Sequence, residues 1–501
     1  MPRTLTKNDK QVSALERYFA PYRRKVVGYD QSFKTPFGEK RIVYADWTAS
    51  GRLYAPIEER LSKDIAPFVG NTHTETSVTG TSMTKAYHQA KTIIKQHVGA
   101  QPKDVLISSN SGMTGVVNKF QRMLGLKVHE KYTSKVQMPP EERPIVFVTH
   151  MEHHSNQTSW LETLADVEVI KPNADGLVDL SDLDRLLEQY QNRRTKIAAV
   201  TSCSNVTGLR TPYHEIAERM HRQDGFCFVD FACSAPYIEI NMRPEDELQR
   251  LDAIYFSPHK FLGGPGSTGI LIFDPKLYTN RVPDNPGGGT VDWTNPWGGH
   301  KYIDEIEARE DGGTPAFLQT IRVALCIKLK EEMGVKNMLA REEELLEKVW
   351  ARFDKLPKLH ILADHLRDRL GVVSFYIEGL HYNLGVKLLN DRFGVQTRGG
   401  CSCAGTYGHY LLNVSEQYSK SITDEISQGN LAHKPGWIRM SVHPVMSDEE
   451  LETVLHAIEQ VHDHFQEWGQ DYDYDPHTNE FYYKHQPSHE TELVDRWFAS
   501  L

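Results

Sequence analysis

Five short runs of apolar residues constrain this chain more than any other feature: Asp104-Val105-Leu106-Ile107, Ile145-Val146-Phe147-Val148, Ile197-Ala198-Ala199-Val200, Phe226-Cys227-Phe228-Val229 and Gly269-Ile270-Leu271-Ile272-Phe273. A strand with one wet face alternates apolar with polar residues, whereas these runs are unbroken. Unbroken runs fit strands covered by helices on both faces, as in mainly parallel sheets. Helical patterns separate them, so the sequence predicts an α/β domain.

With 501 residues the chain can bury a large core and divide into two or more domains. A net charge of −10 gives no electrostatic reason to expect nucleic acid or an anionic membrane as partner. No apolar run approaches the roughly 20 residues that span a bilayer, and Met1 to Lys7 lacks a signal-peptide core. Six scattered cysteines do not make a disulfide framework, so a reducing, cytoplasmic setting is expected.

Along the chain, Gln11 to Tyr22 is predicted as a helix and Arg41-Ile42-Val43-Tyr44 as a short strand. One long helical stretch is expected from Pro315 to about Asp354. A smaller α+β region follows, with a strand at Val372 to Ile377 and a helix from Asp448 to Trp468. The tail from Gly469 to Leu501, rich in Tyr, His and acidic residues, is either a packed extension or a partner contact.

Polar clusters follow the strands, where ligands bind in open α/β sheets. Ser108-Ser109-Asn110-Ser111-Gly112-Met113-Thr114 opens a helical pattern; its residues suit either an anion cup or an ordinary helix cap. His150-Met151-Glu152-His153-His154-Ser155-Asn156, Ser202-Cys203-Ser204-Asn205-Val206-Thr207-Gly208 and Val229-Asp230-Phe231-Ala232 come next. No third ligand at metal spacing accompanies the histidine pair, so no metal is expected. In Tyr255-Phe256-Ser257-Pro258-His259-Lys260-Phe261-Leu262-Gly263-Gly264 a lysine stands at a strand end among apolar residues and glycines. Lysines at strand ends are ordinarily surface residues, but a desolvated one is a nucleophilic amine fit for Schiff-base chemistry.

The ordered series Ala45-Asp46-Trp47, Asn71-Thr72-His73, Gly112-Met113-Thr114, Glu152-His153-His154, Ser204-Asn205-Val206, Val229-Asp230, Ser257-Pro258-His259-Lys260, Gly287-Gly288-Gly289-Thr290, Gly312-Gly313-Thr314-Pro315 and Arg398-Gly399-Gly400-Cys401-Ser402-Cys403-Ala404 resembles the class V aminotransferase family of fold-type I pyridoxal-phosphate enzymes. Within it the series is most similar to the cysteine desulfurase/selenocysteine lyase branch, from about residue 41 to 460. The resemblance implies a mainly parallel sheet of the seven-stranded type flanked by helices, plus a smaller α+β domain. The implied division is an N-terminal segment at 1–50 packing with the small domain, a large cofactor-binding domain at 51–315, the small domain at 316–465, and a C-terminal extension at 466–501.

The same resemblance implies roles. Lys260 would hold pyridoxal phosphate as an imine and shuttle the substrate's Cα proton. Asp230 would pair with the pyridinium nitrogen, His153 would stack on the ring, and Asn205 would bond its substituents. Thr114, Met113, Ser257 and His259 would bind the phosphate, with Thr290 reaching in from a second subunit of a homodimer. Cys233 stands where a Gln or His usually touches the phenolic oxygen. Arg439 would clamp the carboxylate of an amino acid substrate, with Ala49 and His73 beside it. Cys403 would attack the substrate's sulfur, leaving alanine and a persulfide for an acceptor protein. Against this stand two alternatives: Cys401 and Cys403 as plain loop residues of an aminotransferase, epimerase or β-eliminating enzyme, or a non-catalytic binding protein on this fold. The chain departs from the pattern at Trp47, at Cys233, at Cys401-Ser402 where two histidines are common, and in the long segment from Gly405 to Pro435.

Overall fold

The unbroken apolar runs become neighbours in one sheet. In the computed structural model, which describes residues 12–72, 76–109, 111–485 and 490–499, a seven-stranded sheet is found among the described residues. Its strands are β1 (Val105–Ser109), β2 (Ile145–Thr149), β3 (Asp166–Ile170), β4 (Lys196–Thr201), β5 (Phe226–Asp230), β6 (Ala253–Phe256) and β7 (Gly269–Phe273), in spatial order β1-β7-β6-β5-β4-β2-β3. β7 runs against both of its neighbours and the other six share one direction, which sets their C-terminal ends along one edge.

Both faces are covered, as the unbroken runs require. Val105, Ile107, Val146, Val148, Ile197, Ala199, Ala253 and Tyr255 pack on one face against Val116, Val117 and Phe120 of the helix Gly112–Met123. The intervening residues Leu106, Phe147, Ala198, Cys227, Val229, Ile254 and Ile272 point the other way and are equally buried.

The chain divides into two compact units. The larger holds Ser50–Ser204 and Arg210–Val335; the smaller holds Met1–Ala49, Asn205–Leu209 and Lys336–Leu501. The expected helix from Pro315 to Asp354 is two helices, Phe317–Met333 and Val335–Phe353. Gly334 separates them with φ of 73°, a left-handed backbone that ends a helix cheaply only at glycine. The first of the two belongs to the large unit, because Phe317 packs on Met83 and Tyr87, and Ile321 and Ala324 pack on Ala90.

The small unit is built on four antiparallel strands, β8 (Leu359–Ile361), β9 (Val372–Ile377), β10 (Arg398–Gly400) and β11 (Trp437–Ser441), in order β8-β9-β11-β10. Its helix Asp448–Trp468 starts where Ser447 and Glu450 exchange hydrogen bonds in a capping box, with Asp448, Glu449 and Glu450 facing the positive end of the dipole. The N-terminal helix runs from Ala14 to Arg23 behind the cap Ser13, and Arg23 Nε donates to the Val445 carbonyl at 2.6 Å.

The strand expected at Arg41 to Tyr44 is two strands in two sheets. Gly38–Arg41 pairs with Ser32–Thr35, while Val43–Tyr44 pairs in parallel with Val395–Gln396. The chain changes partner at one peptide: Ile42 N bonds to Gln31 O, and Val43 N to Gly394 O.

The tail is a packed extension over Tyr472–Asp475 and Glu480–Tyr483, which form a hairpin. Asn479 at its turn donates to the Tyr382 hydroxyl at 2.8 Å, and the Tyr472 hydroxyl donates to Asp391 at 3.0 Å. The last helix, Glu490–Trp497, is exposed throughout. The segment from Gly405 to Pro435 carries helices Gly405–Leu411 and Glu416–Ser427. Tyr407 anchors it, 2% exposed and 3.3 Å from the Thr207 hydroxyl. No described helix is long and apolar enough to cross a membrane.

Candidate active site

In the large unit the expected residues gather at the C-terminal edge of the sheet. Asp230 is the last residue of β5 and only 2% exposed. One carboxylate oxygen accepts the Ala232 N–H at 2.8 Å. Burial pushes its pKa up to about 6, against the opposing pull of that N–H and of the Lys260 charge. Lys260 closes the one-turn 3₁₀ segment Pro258–Lys260 directly after β6, the neighbouring strand. Gly264 permits this turn, since a Cβ there would drive into the Pro258 carbonyl. His259 lies 3.5 Å from the Ser50 hydroxyl, and burial with the Lys260 charge pushes its pKa down to about 4, so its ring is neutral at pH 7.

The helix Gly112–Met123 begins with Gly112 at φ of 63°, and its cap residue Ser111 makes no side-chain capping bond among the described residues. The capping alternative for these hydroxyls therefore does not hold at Ser111. Met113 N instead donates to Ser257 Oγ at 2.9 Å, joining two of the sequence clusters, and Thr114 Oγ1 lies 2.7 Å from Ser155 Oγ. Backbone N–H groups, hydroxyls and the helix dipole converge there, a donor set suited to a phosphate.

His153 caps the helix His154–Leu161 by accepting the Ser155 N–H on Nδ1 at 3.1 Å, which leaves a neutral ring its proton on Nε2. Beneath it runs a network that was not anticipated. Glu152 accepts from Thr149 N, Thr149 Oγ1, Thr201 N and Asn156 Nδ2, the last at 2.7 Å. Asn156 Oδ1 in turn accepts the Tyr255 hydroxyl at 2.6 Å and the Trp160 indole N–H at 3.2 Å. Burial pushes Glu152 up to about 7 although all four partners donate to it. The i, i+4, i+8 spacing of Glu152, Asn156 and Trp160 was the signal for a buried polar stripe.

Two further residues of this unit turn inward. The Cys233 thiol donates to the Ser204 carbonyl at 3.7 Å. The Thr290 hydroxyl donates to Gly287 O at 2.7 Å and accepts Gly287 N, which closes its own loop. His73 lies outside the described residues.

The small unit holds a second cluster. Arg439 on β11 is 3% exposed; its Nη2 donates to Asp46 Oδ1 at 2.9 Å and its Nη1 to the Asn205 carbonyl at 3.1 Å. Its Nε is buried with no hydrogen-bond partner among the described residues. Arg398, opposite it on β10, donates to Asp46 Oδ2 at 3.1 Å. Asp46 thus offsets one of these two positive charges. The turn carrying Asp46 closes with Ala49 N on Asp46 O at 3.0 Å. Trp47 stacks on the buried His443 ring at 4.2 Å. The Asn205 side chain does not stand free: Nδ2 donates to the Ser402 carbonyl at 2.7 Å. Cys403 is exposed and Cys401 half-buried. Residues 401–404 do not extend: Ala404 N bonds back to Cys401 O at 3.0 Å, with φ of 51° at Ser402 and 56° at Cys403.

The family model for aminotransferase class-V matches residues 43–454, and the chain belongs to that family. A probable cysteine desulfurase of Halalkalibacterium halodurans is 27% identical over 367 residues, 72% of this chain and 84% of that protein. One from Staphylococcus aureus is 26% identical over 380 residues, 75% of this chain and 86% of that protein. The apo cysteine desulfurase of Thermococcus onnurineus superposes with a TM-score of 0.71 at 21% identity, covering 92% of this chain and all of that one. The cysteine desulfurase CsdA of Escherichia coli gives 0.65 at 19% identity, over 84% and 94% of the two chains. The fold-type I expectation, a mostly parallel seven-stranded sheet with flanking helices, thus holds.

Proposed function

We propose that this chain is a pyridoxal-phosphate-dependent enzyme that breaks the C–S or C–Se bond of a cysteine-like amino acid and passes the sulfur through Cys403. The buried Asp230, its pKa raised by burial beside the charge of Lys260, supports the cofactor. A carboxylate with one N–H partner, pushed up to about 6 by burial, is satisfied by a cationic ring N–H, which draws it back to the ionised form. When bound, pyridoxal phosphate supplies an electron sink that lets bonds at the Cα and Cβ of an attached amino acid break.

Lys260 Nζ would hold the cofactor and would carry the Cα proton. Met113, Thr114, Ser257 and His259 take the phosphate, and neutral His259 does so as a donor. In the large unit His153 would stack on the ring and Cys233 would stand at the position that touches its phenolic oxygen, and Asn205 of the small unit would bond its substituents. Arg439 offers its unpartnered Nε to the substrate carboxylate. Cys403 bears the desulfuration reading: exposed at the corner of a turn, its thiolate would be the nucleophile. That thiolate forms a new S–S bond with the substrate's sulfur; the C–S electron pair stays on carbon, which is protonated to give alanine.

We also read the chain as a homodimer, since Trp293 and Trp297 beyond Thr290 are 51% and 89% exposed and large exposed aromatics favour association. Supplying purified holoenzyme with L-cysteine tests the function. Alanine equal in amount to persulfide plus sulfide is expected, and Cys403→Ala should lose the persulfide. Pyruvate as the product would assign β-elimination instead.

A further inference from the structure

The geometry around Cys403 points to two positioning residues that family membership does not supply. The inference rests on the reading of Cys403 as the nucleophile. Residues Cys401 to Ala404 form a turn closed by a 3.0 Å bond from Ala404 N to Cys401 O, with both central residues, Ser402 and Cys403, at positive φ. Two consecutive positive φ values are the signature of a type I′ turn, whose corners usually go to Asn and Gly. Serine and cysteine adopt that backbone only when the surroundings impose it.

What imposes it is visible, and it acts on Ser402. The Trp437 indole N–H donates to Ser402 Oγ at 3.2 Å, and Asn205 Nδ2 donates to the Ser402 carbonyl at 2.7 Å. Trp437 is 1% exposed and Ser402 9%, so both bonds lie out of water. Cys403, the next residue, is exposed. One corner of the turn is therefore gripped and the other presents a thiol. Asn205 also accepts Arg439 Nη1 on its own carbonyl, so a single residue ties the thiol's turn to the guanidinium read as the carboxylate clamp.

We propose that Ser402 and Trp437 are positioning residues for Cys403: their hydrogen bond keeps the turn left-handed and so fixes the direction from which the thiol meets the substrate's sulfur. They touch neither substrate nor cofactor. Losing the bond leaves substrate binding intact and slows sulfur transfer.

The test uses holoenzyme carrying Ser402→Ala, Trp437→Phe or Ser402→Asn. Asparagine tolerates positive φ and keeps an acceptor for the indole. Two quantities are read: kcat and KM for persulfide formation from L-cysteine, and the ratio of Cys403 to Cys401 alkylation by iodoacetamide, peptide by peptide. Losing one buried hydrogen bond should lower kcat about fivefold in Ser402→Ala and Trp437→Phe. KM should stay unchanged and the alkylation ratio should fall toward one. Ser402→Asn should restore both readouts. If Cys403→Ala is inactive yet both deletions keep wild-type kcat and alkylation ratio, the positioning role is wrong and the nucleophile reading stands. If Cys403→Ala still forms persulfide at the wild-type rate, the nucleophile reading fails and takes this proposal with it.

Discussion

The strand-end cluster of the large unit and the cysteine turn of the small unit hold their chemistry by opposite means. Glu152, just beyond β2, and Asn156, on the helix His154–Leu161, join Tyr255 of β6 in a buried network, and Glu152 also accepts the N–H of Thr201 at the end of β4. The Cys401–Ala404 turn follows the end of β10, adopts a disfavoured backbone, and is gripped at one residue by Trp437 of β11. The difference teaches where each kind of residue can be placed. Carboxyls whose titration is set by burial sit at the ordered strand ends. The exposed thiol of Cys403, proposed to carry sulfur, sits on strained backbone, which costs stability and gives access.

The largest expected effect strips the rigid edge of its amine. Lys260→Ala should lower turnover on the order of a thousandfold, as removal of a positioned acid–base group does. Borohydride should then no longer fix cofactor to that peptide, as mass spectrometry would show; fixation at another lysine would break the contrast at its centre.

Next comes Asp230→Asn, in protein freed of cofactor. A carboxyl raised from 3.8 to about 6 in the fold contributes its stability below pH 4 and loses it as pH rises through about 6. Above pH 6 the ionised group opposes folding, so the amide should stabilise the apo protein by up to about 3 kcal/mol at pH 7.5 and by almost nothing at pH 4. Turnover should collapse all the same. Denaturant melts at the two pH values check this, and equal shifts at both would mean the carboxylate is not desolvated.

Glu152→Gln should do the reverse and destabilise by about 2 kcal/mol, because the new amide faces the Asn156 donor. A neutral result would show that the network relaxes more freely than the sheet beneath it allows. The smallest effect is expected at the turn: Cys403→Gly should stabilise by about 1 kcal/mol by relieving positive φ, while persulfide formation disappears. Destabilisation there would mean the turn is not strained, and the contrast would lose its second half.

How much of this was legible in the sequence follows from range. The five unbroken strands were plain because a doubly covered strand must be apolar at every position, and the polar clusters were plain because they stand directly after strands, whereas the half-exposed Asp166–Ile170 carries no such run. The helix break at Gly334 was written in a single residue that a periodic pattern passes over. The pairing of Asp46 with Arg398 and Arg439 joins residues 352 and 393 positions apart, which no local pattern encodes. The turn at Ser402-Cys403 lacks the Asn-Gly pair that announces its type, so an extended loop was the natural expectation. Glu152 stood inside a cluster noticed for its histidines, and its partner four residues on was not paired with it.

The N-terminal segment has a consequence for how the protein is made. Its helix is anchored by Arg23 on the carbonyl of Val445, 422 residues later, and Val43 bonds to Gly394. At roughly 5 to 20 residues per second, synthesis leaves this segment about 20 to 80 s outside the ribosome before its partner exists. This segment, made long before its partners, is thus among the last to settle. Its hydrophobic Phe19, fully buried at the end, is meanwhile open to whichever chaperone meets it first.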